Sequence, residues 1–118
     1  MEMITALDRL AALSQETRLQ AFRHLVKAGP SGAPAGDIAR VLGVPQNTLS
    51  THLGVLLNAG LVERRREGRS LIYVAGYAAI REVLVYLMTD CCQGEPEIVR
   101  PVLSEAKACC DLKEEALP

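Results

Sequence analysis

Apolar residues recur at helical spacing through most of the chain. Met3, Leu7, Leu10 and Leu13 predict a short amphipathic helix over 3–13. Ser14 is placed to cap a second helix reaching Lys27, with Leu19, Phe22, Leu25 and Val26 as its apolar positions and Gly29-Pro30 as its stop. A Gly, Pro, Ser and Ala-rich loop covers 29–36. A third, short helix from Asp37 to Leu42 turns Ile38, Ala39 and Leu42 inward and is stopped by Gly43. Pro45 suits the first turn of a fourth helix that runs to about Ala59 and is closed by Gly60.

After Gly60 the period changes. Residues 61–66 and 70–74 read as two strands joined by a turn at Glu67-Gly68-Arg69. Tyr77 to about Asp90 returns to helical spacing, with Ile80, Val83, Leu84, Leu87 and Met88 on one stripe. Gly94 and Pro96 interrupt it, and a last helix from about Glu97 to Cys110 carries Val99, Val102, Leu103 and Ala106 inward. Two short helices around a tight glycine turn make a helix-turn-helix, and the hairpin after it makes a wing. The expected fold is mainly α with a small β-hairpin wing, a winged helix-turn-helix. Residues 1–90 form its DNA-binding and dimerisation part, and 91–118 a cysteine-bearing extension. The stripe on 77–90 is more apolar surface than a thin domain covers alone, so a homodimer is expected.

The 118 residues fit one small domain. The net charge of −1 does not announce a nucleic-acid binder, but its distribution is uneven. Residues 1–90 hold ten Lys/Arg against eight Asp/Glu, and 91–118 hold three against six. Arg64, Arg65, Arg66 and Arg69 cluster on the hairpin, where exposed charge acts over about a Debye length of ~8–10 Å and reaches flanking phosphates. On the fourth helix Leu49, Leu53, Leu56 and Leu57 share the core face. Asn47, Thr51, Gly54 and Asn58 face away, flanked by Gln46, Ser50 and His52, a surface that suits the major groove or an ordinary solvated face. MEMITALDRLAAL lacks the basic then apolar layout of a signal peptide, and no apolar run approaches the ~20 residues of a membrane span. A cytoplasmic protein with reduced thiols and no membrane partner is expected.

The stretches LSQETRLQAFRHLVKAG and AGDIARVLGVPQNTLSTHLGVLLNAGLVERRREGRSLIYV resemble the ArsR-type, arsenic-responsive family of small bacterial repressors over roughly residues 5–90. The resemblance implies a homodimer through the first and post-wing helices and a double-stranded operator with inverted-repeat half-sites. It further implies groove contacts by Gln46, Asn47, Thr48, Ser50, Thr51 and His52, and backbone contacts by the wing arginines. Pro45 departs from the family, standing where a capping Ser is usual. Some relatives place thiolates on the third helix, where this chain has no Cys and offers Asp37 alone. Others bind zinc on the post-wing helix with His-containing sets, and here that helix has no His.

The remaining chemistry is sulfur: Cys91-Cys92 and Cys109-Cys110, with no cysteine before them. Soft thiolates select thiophilic species, and trivalent arsenic is one. CCQGEPEIV resembles the arsenic-binding segment of one subgroup, but Glu97-Ile98-Val99 occupies the region of the expected third thiol. Arsenite wants three thiolates, whereas methylarsenite has two open positions. A straight helix of twelve residues rises about 18 Å, so Cys109 or Cys110 reaches the first pair only if that helix breaks or the partner subunit supplies the sulfur. Two separate dithiol sites are the alternative, and an inert late pair is a third. Packing as small hydrophobes disfavours two adjacent pairs, because neighbours on a helix do not both point into one core. The expected inducer is an arsenic(III) species, arsenite or methylarsenite, with antimony(III) also compatible. A redox or persulfide sensor, or a cadmium-responsive one, is the competing reading, against which Asp90, Glu95, Glu97 and Asp111 disfavour thiolate. No C-x-x-C, phosphate loop or nucleophile–base pair points to an enzyme.

Overall fold

The computed structural model describes residues 1–89 and 100–106. The chain divides into two units, Met1–Val83 and Leu84–Pro118. Its described elements run α1 (Met3–Leu13), α2 (Glu16–Ala28), a single 3-10 turn at Gly29–Ser31, β1 (Ala33–Pro34), α3 (Ala35–Leu42), α4 (Gln46–Asn58), β2 (Val62–Glu67), β3 (Ser70–Ala75) and α5 (Tyr77–Met88). Residues 100–106 are helical. The remainder of the predicted last helix, and Asp90 at the end of the predicted post-wing helix, lie outside the described residues.

The sheet has three antiparallel strands in the order β1-β3-β2. In the hairpin Arg64 pairs with Tyr73, Arg65 with Ile72, and Glu67 with Ser70 across the Gly68-Arg69 turn. Gly68 takes φ +61°, as a two-residue hairpin loop requires. β1 was not legible in the 29–36 loop. Two residues are too few for a periodic signal, and Ala33 and Pro34 join the sheet by register with Tyr73 and Ile72. Gly32 makes the approach possible. Its φ is +64°, and a Cβ there would lie 2.3 Å from the Tyr73 carbonyl oxygen.

The core gathers Phe22 and Leu25 of α2, Ile38 of α3, Leu49, Leu53 and Leu56 of α4, and Leu61, Val62 and Tyr73 from the wing's base. Leu57, also expected inward, is half-buried against it. The other helical stripes divide between core and surface. Met3, Leu7 and Leu10 are exposed, and α1 buries Ala6 and Ala12 instead. On α2 the buried arc centres on Phe22, Leu25 and Ala21, which leaves Leu19 and Val26 on its exposed edge. On α5 Val83 is buried and Ile80 half-buried, and Leu84 and Leu87 are exposed in the single chain, in keeping with a stripe on 77–90 too apolar for one chain to cover. Val102 and Leu103, expected inward, are exposed, which corrects that reading.

The caps also differ from expectation. Gln15, not Ser14, caps α2, its Oε1 accepting the Arg18 amide at 2.9 Å, while the Ser14 amide closes α1 onto the Ala11 carbonyl. Gly43 ends α3 in the left-handed region as predicted. Its amide donates to Arg40 and the Val44 amide to Ala39, the paired bonds of a Schellman turn.

Candidate nucleic-acid interface

The geometry of α4 follows from its two faces. Leu49, Leu53 and Leu56 are fully buried, which fixes the helix rotation and turns Asn47, Ser50, Thr51 and Asn58 to solvent. Gln46 and Thr48 are exposed beside them. A Cβ at Gly54 would meet nothing within 4 Å, so this face is open to close approach. Pro45 precedes the helix as its N-cap residue with no side-chain cap. Asn47 supplies a local substitute, its Oδ1 accepting the Thr48 amide at 2.9 Å. The Gln46 and Asn47 amides have no acceptor among the described residues. Free amides at a helix start favour an anion.

An open cleft of about 300 Å³ separates α4 from the wing, lined by Gln46 and Ser50 on one side and Arg69, Ser70 and Leu71 on the other. The four wing arginines are all exposed but not equivalent. Strand alternation places Arg64 and Arg66 on the face shared with Tyr73 and Leu71, and Arg65 on the opposite face with Ile72. Arg65 is committed to the protein. Its Nη1 donates to the Pro30 carbonyl at 2.9 Å, Nη2 to the Ser31 carbonyl at 3.2 Å, and Nε to the Glu67 carboxylate at 2.9 Å. Arg64, Arg66 and Arg69 have no such partner among the described residues.

His52 is half-buried, with Nδ1 3.3 Å from the Arg18 guanidinium. Arg18 and Arg9 are residues that periodicity did not single out. Arg9, its side chain 14% exposed, donates to the Ala59 carbonyl at the end of α4 and the Ala79 carbonyl in α5, and pairs with Glu82 at 3.3 Å. Both arginines lie on the buried arcs of their helices. A cation on such an arc is the signal that would have found them, since it must meet carbonyls or a carboxylate there.

Asp37, the one candidate ligand on α3, is exposed and paired with Arg40. No group of three His, Cys, Asp or Glu among the described residues is placed to hold a metal ion. Cys91, Cys92, Cys109 and Cys110 lie outside those residues. No helix among the described residues is long and apolar enough to cross a membrane.

A helix-turn-helix domain family matches residues 13–65. The biofilm growth-associated repressor of Xylella fastidiosa is 33% identical over 88 residues, covering 75% of each chain. The Halobacterium salinarum protein ArsR2, named for an arsenical resistance operon repressor, is 38% identical over 66 residues, 56% of this chain and 55% of its own. An ArsR-like regulator from Rhodococcus superposes with a TM-score of 0.64 at 26% identity over 89% of this chain and 92% of its own. The chain belongs to the ArsR-type family.

Its relatives in this family are transcriptional regulators, not enzymes, and the winged helix-turn-helix is common to them. The match to ArsR2 spans only about half the length of that protein. One ArsR-family neighbour, a Mycobacterium bovis domain 29% identical with a TM-score of 0.61 over 75% of this chain and 81% of its own, is described as a homodimeric winged helix-turn-helix DNA-binding domain.

Proposed function

We propose that this chain is a homodimeric transcriptional repressor that holds an inverted-repeat operator and lets go when trivalent arsenic binds its C-terminal thiols. The observation that carries the DNA half is the buried leucine face of α4, which commits Asn47, Ser50 and Thr51 to the outside beside a wing with three arginines that have no partner among the described residues. Gln46, Asn47, Thr48, Ser50, Thr51 and His52 meet the operator from α4, and Arg64, Arg66 and Arg69 neutralise flanking phosphates. Arg65 keeps the wing in position. Twofold symmetry sets the two α4 helices about one DNA turn apart, ~34 Å, which gives the operator its half-site spacing.

The donor set supports the sensing half. Two adjacent thiol pairs are soft ligands, and Cys91 follows the last residue of α5 by three positions. Cys91 and Cys92 form the primary pair. Cys109 or Cys110 completes a three-thiolate set for arsenite or antimonite, whereas a methylated arsenical is satisfied by two sulfurs. Release requires that the inducer bind the DNA-free form better than the DNA-bound form. Cys91→Ser and Cys92→Ser therefore retain operator affinity and lose arsenical-triggered release. Operator release undiminished in both variants would move the sensor elsewhere. A response to peroxide or persulfide in place of arsenicals would assign the same thiols to redox sensing.

A further inference from the structure

Arg18 has three edges of its guanidinium occupied. Nε donates to the Ala12 carbonyl at 2.6 Å and Nη2 to the Ala11 carbonyl at 3.5 Å, which ties the group to the end of α1. Nη1 lies 3.3 Å from Nδ1 of His52 on α4. A guanidinium has donors and no acceptor, so Nδ1 must accept and the ring proton sits on Nε2. Nε2 has no partner among the described residues. No polar side-chain atom among the described residues is both buried and unpartnered, so Nε2 is open to solvent although His52 is half-buried.

Its place on the helix decides what it meets. At about 100° per residue, His52 lies a quarter-turn or more from Thr51 and on the side of α4 nearer the buried leucines. Asn47, Thr51 and Asn58 point toward the groove floor when α4 lies in DNA, so the position of His52 faces the groove wall, where the sugar-phosphate chain runs.

We propose that Arg18 is a positioning residue that locks His52 into the Nε2–H tautomer, and that His52 in this form donates a neutral hydrogen bond to an operator phosphate oxygen. The proposal rests on the operator-binding reading above and adds an atom-level role that the wing arginines do not share. A neutral donor displaces no counterion, so it contributes affinity without contributing to the salt dependence.

Two measurements on the whole protein test it. Long-range 1H–15N correlation spectra of the imidazoles at pH 8 show His52 as a single Nε2-protonated tautomer in the wild type, and a mixture of tautomers in Arg18→Met. Duplex binding by His52→Ala falls about fivefold, the weight of one ordinary hydrogen bond, equally on operator and unrelated DNA and with the slope of log K against log salt unchanged. Arg18→Met shows the same loss, and adding His52→Ala to it costs little more. An Nδ1–H tautomer in the wild type overturns the proposal, even if Arg18→Met fails to fold. So does a His52→Ala loss confined to one base sequence, or one that reduces the salt slope by about the ~0.9 of a lost phosphate-neutralising charge. Failure of the wild type to hold any duplex ends the operator reading itself, whereas the spectra still report on Arg18 and His52.

Discussion

Of the wing's four arginines, one holds the protein together and three are left to hold something else. Arg65 fastens the hairpin to the carbonyls of the Pro30-Ser31 turn, and Arg64, Arg66 and Arg69 have no partner among the described residues. Their substitutions therefore separate in kind. Arg66→Ala reduces the slope of log K against log salt by about 0.9 and leaves the unfolding midpoint within experimental error, as titration at several salt concentrations and thermal melting will report. Arg65→Ala lowers stability by about 1 kcal/mol, the weight of partly exposed charge-assisted bonds, and changes the salt slope less than Arg66→Ala does. A sequence cannot distinguish these roles, because four arginines within six positions look alike until strand register assigns each a face.

At the scale of elements, the helix-turn-helix was legible because its signals are local. Leucines at 49, 53 and 56 announce one buried face, and Gly43 can only be a left-handed stop there. On α1 periodicity finds an apolar face without saying what covers it. Met3 and Ile4 are 66% and 69% exposed, while two alanines face the core. Alanine there admits α2 and α4 close to the α1 backbone. The junction after α4 was illegible for a related reason, since it depends on backbone approach. The Gly76 amide donates to the Leu61 carbonyl at 2.7 Å, and a Cβ at Gly76 would lie 2.5 Å from the Gly60 carbonyl oxygen. Gly76→Ala forces these segments apart and costs about 1–3 kcal/mol, readable in urea unfolding. Leu53→Ala, in the fully buried face of α4, costs about 2–5 kcal/mol by the same assay.

At the scale of the whole molecule, apolar surface is left exposed on two helices. Met3, Ile4, Leu7 and Leu10 on α1, and Leu84, Val85 and Leu87 on α5, are exposed in a single chain, and scattered exposure is ordinary whereas two such helix faces are not. The homodimer proposed above would cover them, and it gives Leu7→Glu a clear outcome: a monomer in sedimentation velocity, with operator affinity reduced by at least tenfold because the half-sites are no longer held together. The candidate reader on α4 was largely visible in the sequence through its leucine spacing. The tuning by Arg18 and the clamp by Arg9 were not, because they depend on tertiary contacts to carbonyls far along the chain. The thiol chemistry, in contrast, is a matter of residue type, and it is tested by chemistry.

The most direct measurement is fluorescence anisotropy of the protein on a selected operator duplex, titrated separately with arsenite, methylarsenite, antimonite, zinc and peroxide. Release is expected with trivalent arsenicals at about two or three thiols consumed per site, none with zinc, and none with any arsenical in Cys91→Ser or Cys92→Ser. An operator complex that persists through every arsenical, with all four cysteines still open to alkylation, contradicts it.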